Sequence, residues 1–235
     1  MMNELEHSHD PEDVARRIGA PAKHNYLADF VYGAIDGTVT TFAVVSGVAG
    51  AGLAPEIIVI LGLANLVGDG FSMAASNFLG TRTDKQLLDK AREMERRHIE
   101  TDPEGEREEI RQIYAQKGFS GEVLEEVVHV ITSDRKRWID TMIKDEFGLA
   151  LTTPSALWAA SVTFVAFIIV GFIPLVVFII QLIWPFPVRF AYDASAVLAG
   201  VGFFAVGAAK SLFVEQKWTT SGLETLLVGG TAAGL

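Results

Sequence analysis

Glu95 and His98 stand three residues apart, as do Glu106 and Glu109, while Met142 and Glu146 stand four apart. At these spacings two side chains project from one face of a helix. Carboxylate and imidazole together suit first-row divalent metals, and a thioether leans toward softer ions and away from calcium or magnesium. Glutamates at such intervals on a charged helix are more often a solvated face, and Glu100, Glu104 and Glu108 belong in part to that kind. Density argues for a site. Seventeen acidic residues fall between Thr81 and Ala150, and their mutual repulsion is unfavourable unless cations are bound.

A second set of capable residues lies in apolar sequence. Asn65, Asp69, Met73 and Asn77 recur every fourth residue and so line one helical face, with Ser72 and Ser76 beside it. Asp36 and Thr40 share a face in an earlier apolar run, close to Gly33 and Gly37. A carboxylate at the centre of a membrane helix costs about 2.5–3.5 kcal/mol, so it usually faces a cavity or a partner. Asp36 with Met73 would make a carboxylate–thioether path for a metal. The plainer alternative puts one acid near a membrane edge, where the cost fades, and it is stronger for Asp69 than for Asp36. Gly33 and Gly37 equally fit close helix packing that needs no ion. His7 and His9, on either side of Ser8, could touch a metal, although a terminal pair of this kind is more often incidental.

Two solvents must hold these residues in place. Half of the 235 residues are hydrophobic, yet the formal charge is −10. The charges are segregated: between Val31 and Leu79 only Asp36, Glu56 and Asp69 are charged, and between Ala150 and Trp184 none is. That pattern means lipid and water along one chain. Spans are expected over residues 30–53, 57–79, 157–183 and 194–214, with a fifth beginning near Leu223 that looks incomplete by Leu235. Pro174 interrupts the third, which must tilt or kink. Arg16, Arg17 and Lys23 precede the first span, thirteen Lys and Arg lie between the second and third, and Lys210 and Lys217 close the fourth. Only Arg189 lies on the other side, so the N-terminus and the polar insert are expected in the cytoplasm.

The insert reads as several short helices. Residues 84–100 form a helix-favouring run, Asp102-Pro103-Glu104 is a helix start, and Gly118 is a stop. A third helix is expected from Ser120-Gly121 to Ile131, and a fourth from a Ser133 or Asp134 cap past Trp138 and Met142 to Gly148. The organisation is thus an N-terminal segment (1–29), two spans (30–80), a helical metal-binding domain (81–150) and the remaining spans (151–235). The absence of cysteine excludes disulfides, thiolate metal sites and thiol catalysis. Residues 1–25 are polar and acidic, without the apolar core of a cleavable signal, so the first apolar run is expected to stay in the membrane.

Several ordered motifs resemble the vacuolar iron transporter family of plants, fungi and prokaryotes. They are Tyr32-Gly33-Ala34-Ile35-Asp36-Gly37 leading into Thr41-Phe42-Ala43-Val44-Val45-Ser46-Gly47, Gly68-Asp69-Gly70-Phe71-Ser72-Met73, Pro103-Glu104-Gly105-Glu106, Trp138-Ile139-Asp140-Thr141-Met142 through Glu146, and Gly171-Phe172-Ile173-Pro174-Leu175. The resemblance implies an all-α polytopic membrane protein with five spans and a cytoplasmic helical metal-binding domain between the second and third. It implies a homodimer in the lipid bilayer with an ion path between subunits, exchanging ferrous iron for protons and moving iron out of the cytosol. Asp36 and Met73 would be pore ligands; Glu95, His98, Glu106, Glu109, Met142 and Glu146 would be the cytoplasmic ligands. Manganese, cobalt and zinc are further candidate substrates; no organic cofactor and no nucleic acid is implied. A prokaryotic cell membrane is the expected location, with the vacuolar membrane as alternative. The chain departs from the family in His98, where glutamate is usual, in Ile143, where a second methionine is common, and in Asn65, often glutamate.

Two other classes stay open. A membrane-anchored metal-binding protein or di-iron carboxylate, ferroxidase-like enzyme would use Glu95-x-x-His98, but such bundles take two pairs on long facing helices. A membrane scaffold would use its acids only for solubility.

Overall fold

A computed structural model of the protein describes residues 8–20 and 24–234. His7 and Lys23, used above, lie outside the described residues. Among the described residues the chain is helical throughout, with no strand. The order is α1 (Pro11–Gly19), α2 (Leu27–Gly50), α3 (Pro55–Thr101), α4 (Pro103–Gln116), α5 (Gly121–Thr132), α6 (Arg135–Asp145) and α7 (Ala156–Gly171). A 3-10 turn (Ile173–Leu175) then leads to α8 (Val176–Ile183), α9 (Val188–Lys210) and α10 (Trp218–Gly234).

Four segments are long and apolar enough to cross a membrane: Leu27–Gly50, the first part of Pro55–Thr101, Ala156–Ile183 and Val188–Lys210. The protein is a membrane protein with at least these four candidate spans. The third is broken at Pro174 as expected, because proline lacks the N–H a continuous helix requires there. Helix α9 begins six residues before the expected fourth span, taking in Arg189 and Asp193. Helix α10, of 17 residues, starts at Trp218 and packs along α9.

Helix α7 packs against both α2 and α3, and α9 against α2 and α10. Phe167, Phe178, Leu175, Ile58, Leu66 and Val45 form the buried core between them. The α2–α7 approach depends on glycine. A Cβ at Gly37 would stand 2.5 Å from the backbone oxygen of Phe167, one at Gly171 2.7 Å from that of Gly37, and one at Gly33 would strike Thr163. The close helix packing that Gly33 and Gly37 fit is thus with α7 of the same chain. Large apolar side chains such as Val67, Phe71, Ile169 and Leu227 point outward instead, the inverse of a water-soluble fold.

The insert differs from expectation at its start. No break separates the second span from residues 84–100: α3 is one helix of 47 residues, about 70 Å long at 1.5 Å per residue. Gly80 alone costs a helix only about 1 kcal/mol, and no proline follows before Pro103. The distal part of α3 then packs with α4, α5 and α6 around Ile110, Leu124, Val128, Ile131, Trp138 and Met142. The caps are those the residues suggest. Asp102 accepts from the N–H of Gly105 at 3.1 Å and Asp134 from that of Arg137 at 2.7 Å, while Gly118 and Gly148 take the left-handed turns after α4 and α6.

Candidate metal centre and intramembrane polar face

A single linking residue makes the centre. Asp102 precedes a proline and is thereby pushed out of helical geometry, so α3 ends at Thr101, α4 starts at Pro103, and the chain folds back sharply. The last turns of α3 then lie beside the first turn of α4. His98 Nδ1 is 3.2 Å from Glu106 Oε1 and 4.0 Å from Glu95 Oε1. One ligand atom from each of the three residues lies within 4.8 Å of the other two. Two ligands of one first-row ion are separated by at most about 4.2 Å, given bonds near 2.1 Å, so small rotamer adjustments would let all three reach one ion.

Burial distinguishes these acids from their neighbours. Glu95 is 1% exposed and Glu106 5%, and the Oε2 atom of each is buried without a hydrogen-bond partner. An unmet buried polar atom costs about 1–3 kcal/mol, and more when charged. By contrast Glu100 pairs with Arg135, Glu104 with Arg107 and Glu108 with Arg111 on the surface. Among the described residues no Lys or Arg pairs with Glu95, Glu106, Glu109 or Glu146. Burial, and then the charges of Glu106 and Glu146, push the Glu95 carboxyl up to about 8. Burial, followed by the charge of Glu109, raises Glu106 and Glu146 too, with His98 drawing both back. These are carboxyl groups kept close together without a lysine or arginine counter-charge, the condition a divalent cation relieves.

Of the other ligands expected in the insert, Glu109 and Glu146 lie around this trio. Glu109 is exposed one turn further on α4 and Glu146 follows α6, both close enough to act electrostatically on Glu95. Met142 is fully buried with Trp138 in the insert core. The guanidinium of Arg107 lies over the Trp138 ring at 5.6 Å, and Trp138 Nε1 is buried without a partner. Asp36 and Met73 belong to a different place, the membrane part of α2 and α3.

There the two antiparallel helices are held in register by side-chain bonds. Asn65 Nδ2 donates to Thr40 Oγ1 at 3.2 Å, and Asn77 Nδ2 donates to Asp29 Oδ1 at 2.7 Å. Asp36 lies one turn before Thr40 and Asp69 one turn after Asn65, so this register sets the two acids opposite each other. Met73 follows one turn beyond Asp69. Asn65, Asp69, Met73 and Asn77 are all half-buried along this seam. Asp29 and Thr163 also belong to this polar face, beyond the residues the sequence indicates. Asp29 carried a signal, since seven residues before Asp36 is the same helical face; Thr163, on another span, carried none.

A bundle of apolar helices that carries two buried carboxylates beside an exposed imidazole at one end and opposed carboxylates within its spans defines a polytopic membrane protein of the ion-handling kind. The chain belongs to the VIT family, whose model matches residues 27–235. It is 30% identical to the vacuolar iron transporter of Toxoplasma gondii over 234 residues, covering 94% of this chain and 77% of that protein. It is 28% identical to vacuolar iron transporter 1 of Arabidopsis thaliana over 211 residues (88% and 82%) and 28% identical to vacuolar iron transporter 1 of Eucalyptus grandis over 209 residues (88% and 82%).

Proposed function

We propose that the protein carries ferrous iron across its membrane in exchange for protons, collecting the ion from the cytoplasm on the insert and passing it between the spans. The observation that carries this reading is the pair of buried carboxylate oxygens, Glu95 Oε2 and Glu106 Oε2, left without partners beside His98. The relatives' names supply iron as the transported ion, and an oxygen–nitrogen ligand set suits it. Glu95, His98 and Glu106 form the core of the collecting site, with Glu109, Glu146 and Met142 as further ligands. Asp36 and Met73 are the ligands within the spans, where a proton on Asp36 and an arriving cation compete.

The distribution of Lys and Arg supports a cytoplasmic insert. Five spans follow if α10 crosses as the fifth, and a two-fold dimer supplies what one subunit lacks, since it has too few polar groups to surround a dehydrated ion. Of the two membranes expected from the sequence, the relatives' names fit the vacuolar one and lend nothing to the prokaryotic cell membrane. Among the described residues one carboxylate–imidazole cluster is found, on two helices, whereas a di-iron bundle draws ligands from four. Proteoliposomes with a set pH gradient test the proposal: ferrous ion should move against the proton flow. Ion movement indifferent to the gradient would reject exchange, and no movement at all would reject transport.

A further inference from the structure

One polar network in the spans uses every hydrogen-bonding group of a side-chain amide, that of Asn77. It joins α2, α3 and α7 at the end of the spans nearest the insert. Asn77 Nδ2 on α3 donates to Asp29 Oδ1 on α2 at 2.7 Å and to Thr163 Oγ1 on α7 at 2.7 Å. Its carbonyl oxygen accepts from the Thr81 hydroxyl at 3.3 Å. Thr163, having accepted from Asn77, donates its own proton to the backbone oxygen of Asp29 at 3.2 Å. Both amide N–H groups and the amide oxygen of Asn77 are thus satisfied in a consistent direction.

We infer that Asn77 is a positioning residue for transport, whose two donated bonds set the register of α3 against α2 and α7 and so place Met73 along the seam that holds Asp36. The Asn65–Thr40 bond also fixes α3 against α2, but it does not reach α7. Gly33, Gly37 and Gly171 already dock α2 on α7, backbone to backbone. The α3 helix meets α7 through side chains, with Gly70 facing the Phe167 ring, and apolar packing of this kind leaves sliding and rotation weakly specified. Hydrogen bonds fix both. Asn77 lies one turn beyond Met73, so an error in register at Asn77 is carried straight to the sulfur.

This inference rests on the transport reading, and a second readout separates the two. Asn77→Asp is nearly isosteric but turns both donors into acceptors facing Asp29 and Thr163. In full-length reconstituted protein the KM for ferrous ion should rise about tenfold, the size expected for losing a bond to a charged partner, while metal binding to the insert is unchanged. The chain has no cysteine, so Thr40→Cys with Asn65→Cys gives a register probe: its oxidative cross-linking should slow several-fold in the Asn77→Asp background. Exchanging the pair, Asp29→Asn with Asn77→Asp, puts a donor opposite an acceptor again and should restore both readouts. Either readout unmoved by Asn77→Asp, or an exchange that restores neither, overturns the inference. If Asn77→Asp does not fold, Thr163→Val takes its place, with a smaller shift expected in the same two readouts and no shift overturning it. Wild-type protein that moves no ferrous ion would sink the transport reading, while cross-linking would still decide the register.

Discussion

Glu95 and Glu100 are five residues apart on one helix and chemically identical, yet the fold gives them opposite fates. Glu100 meets Arg135, from a helix 35 residues away, at the surface; Glu95 is buried beside Glu106 with one oxygen unmet. Replacing Glu106 with Ala should therefore weaken metal binding at least tenfold, and Glu100→Ala should leave it within about twofold, since an exposed ion pair contributes little. Titration calorimetry on the full-length protein reads both; equal effects would mean diffuse acidity in place of a site. His98→Glu should keep binding, because it restores a carboxylate where imidazole stands. The pH dependence has a fixed sign. Glu95 holds its proton up to about 8, against 4.5 for a free carboxyl. Metal must displace that proton, so affinity should rise with pH until about 8 and then level. For metal-free protein the folded state binds the extra proton between 4.5 and about 8, so stability should fall as pH rises through that window. A flat profile in both would remove Glu95 from the site. The Glu95–His98 and Glu106–Glu109 spacings were legible in the sequence. Which acids are buried was not, because it depends on where distant arginines land.

Helices show the same division between local and long-range information. The caps at Asp102 and Asp134, the stop at Gly118 and the break at Pro174 are local chemistry, and they stand where the residues indicate. The fusion of the second span with the insert's first helix was hidden by the change from apolar to charged residues at Gly80. That change marks a change of solvent and says nothing about backbone continuity. Nor does a glycine pair reveal its partner: Gly33 and Gly37 could face another subunit or another helix, and the structure gives them to α7. Gly37→Ala should accordingly destabilise the protein by about 1–3 kcal/mol through forced overpacking. Gly47→Ala on the same helix, where a Cβ meets nothing within 4 Å, should be neutral in the single chain. Thermal unfolding in mild detergent separates the two, and equal melting temperatures would contradict the described α2–α7 contact.

For the molecule as a whole, the claim to test is coupling across distance. Asp36→Asn should abolish metal-driven proton movement in proteoliposomes while the insert still binds metal, because the amide cannot exchange a proton for an ion. If exchange continued at the normal rate, the coupling group would have to be sought at Asp69. Met73→Leu, which removes no titratable group, should lower transport of softer ions with the pH profile unmoved. The insert and the spans share one continuous piece of backbone, α3, and it is gripped by α2 and α7 at Asn77. From there to Thr101 is 24 residues of unbroken helix, an arm of about 36 Å. Such a beam has a fulcrum. A tilt of about 10° at Asn77 sweeps the far tip by roughly 6 Å, three times the length of a metal–ligand bond near 2 Å. On the proposed transport reading, an ion loaded at the tip would trade large travel and little force outside for small travel and large force near the fulcrum.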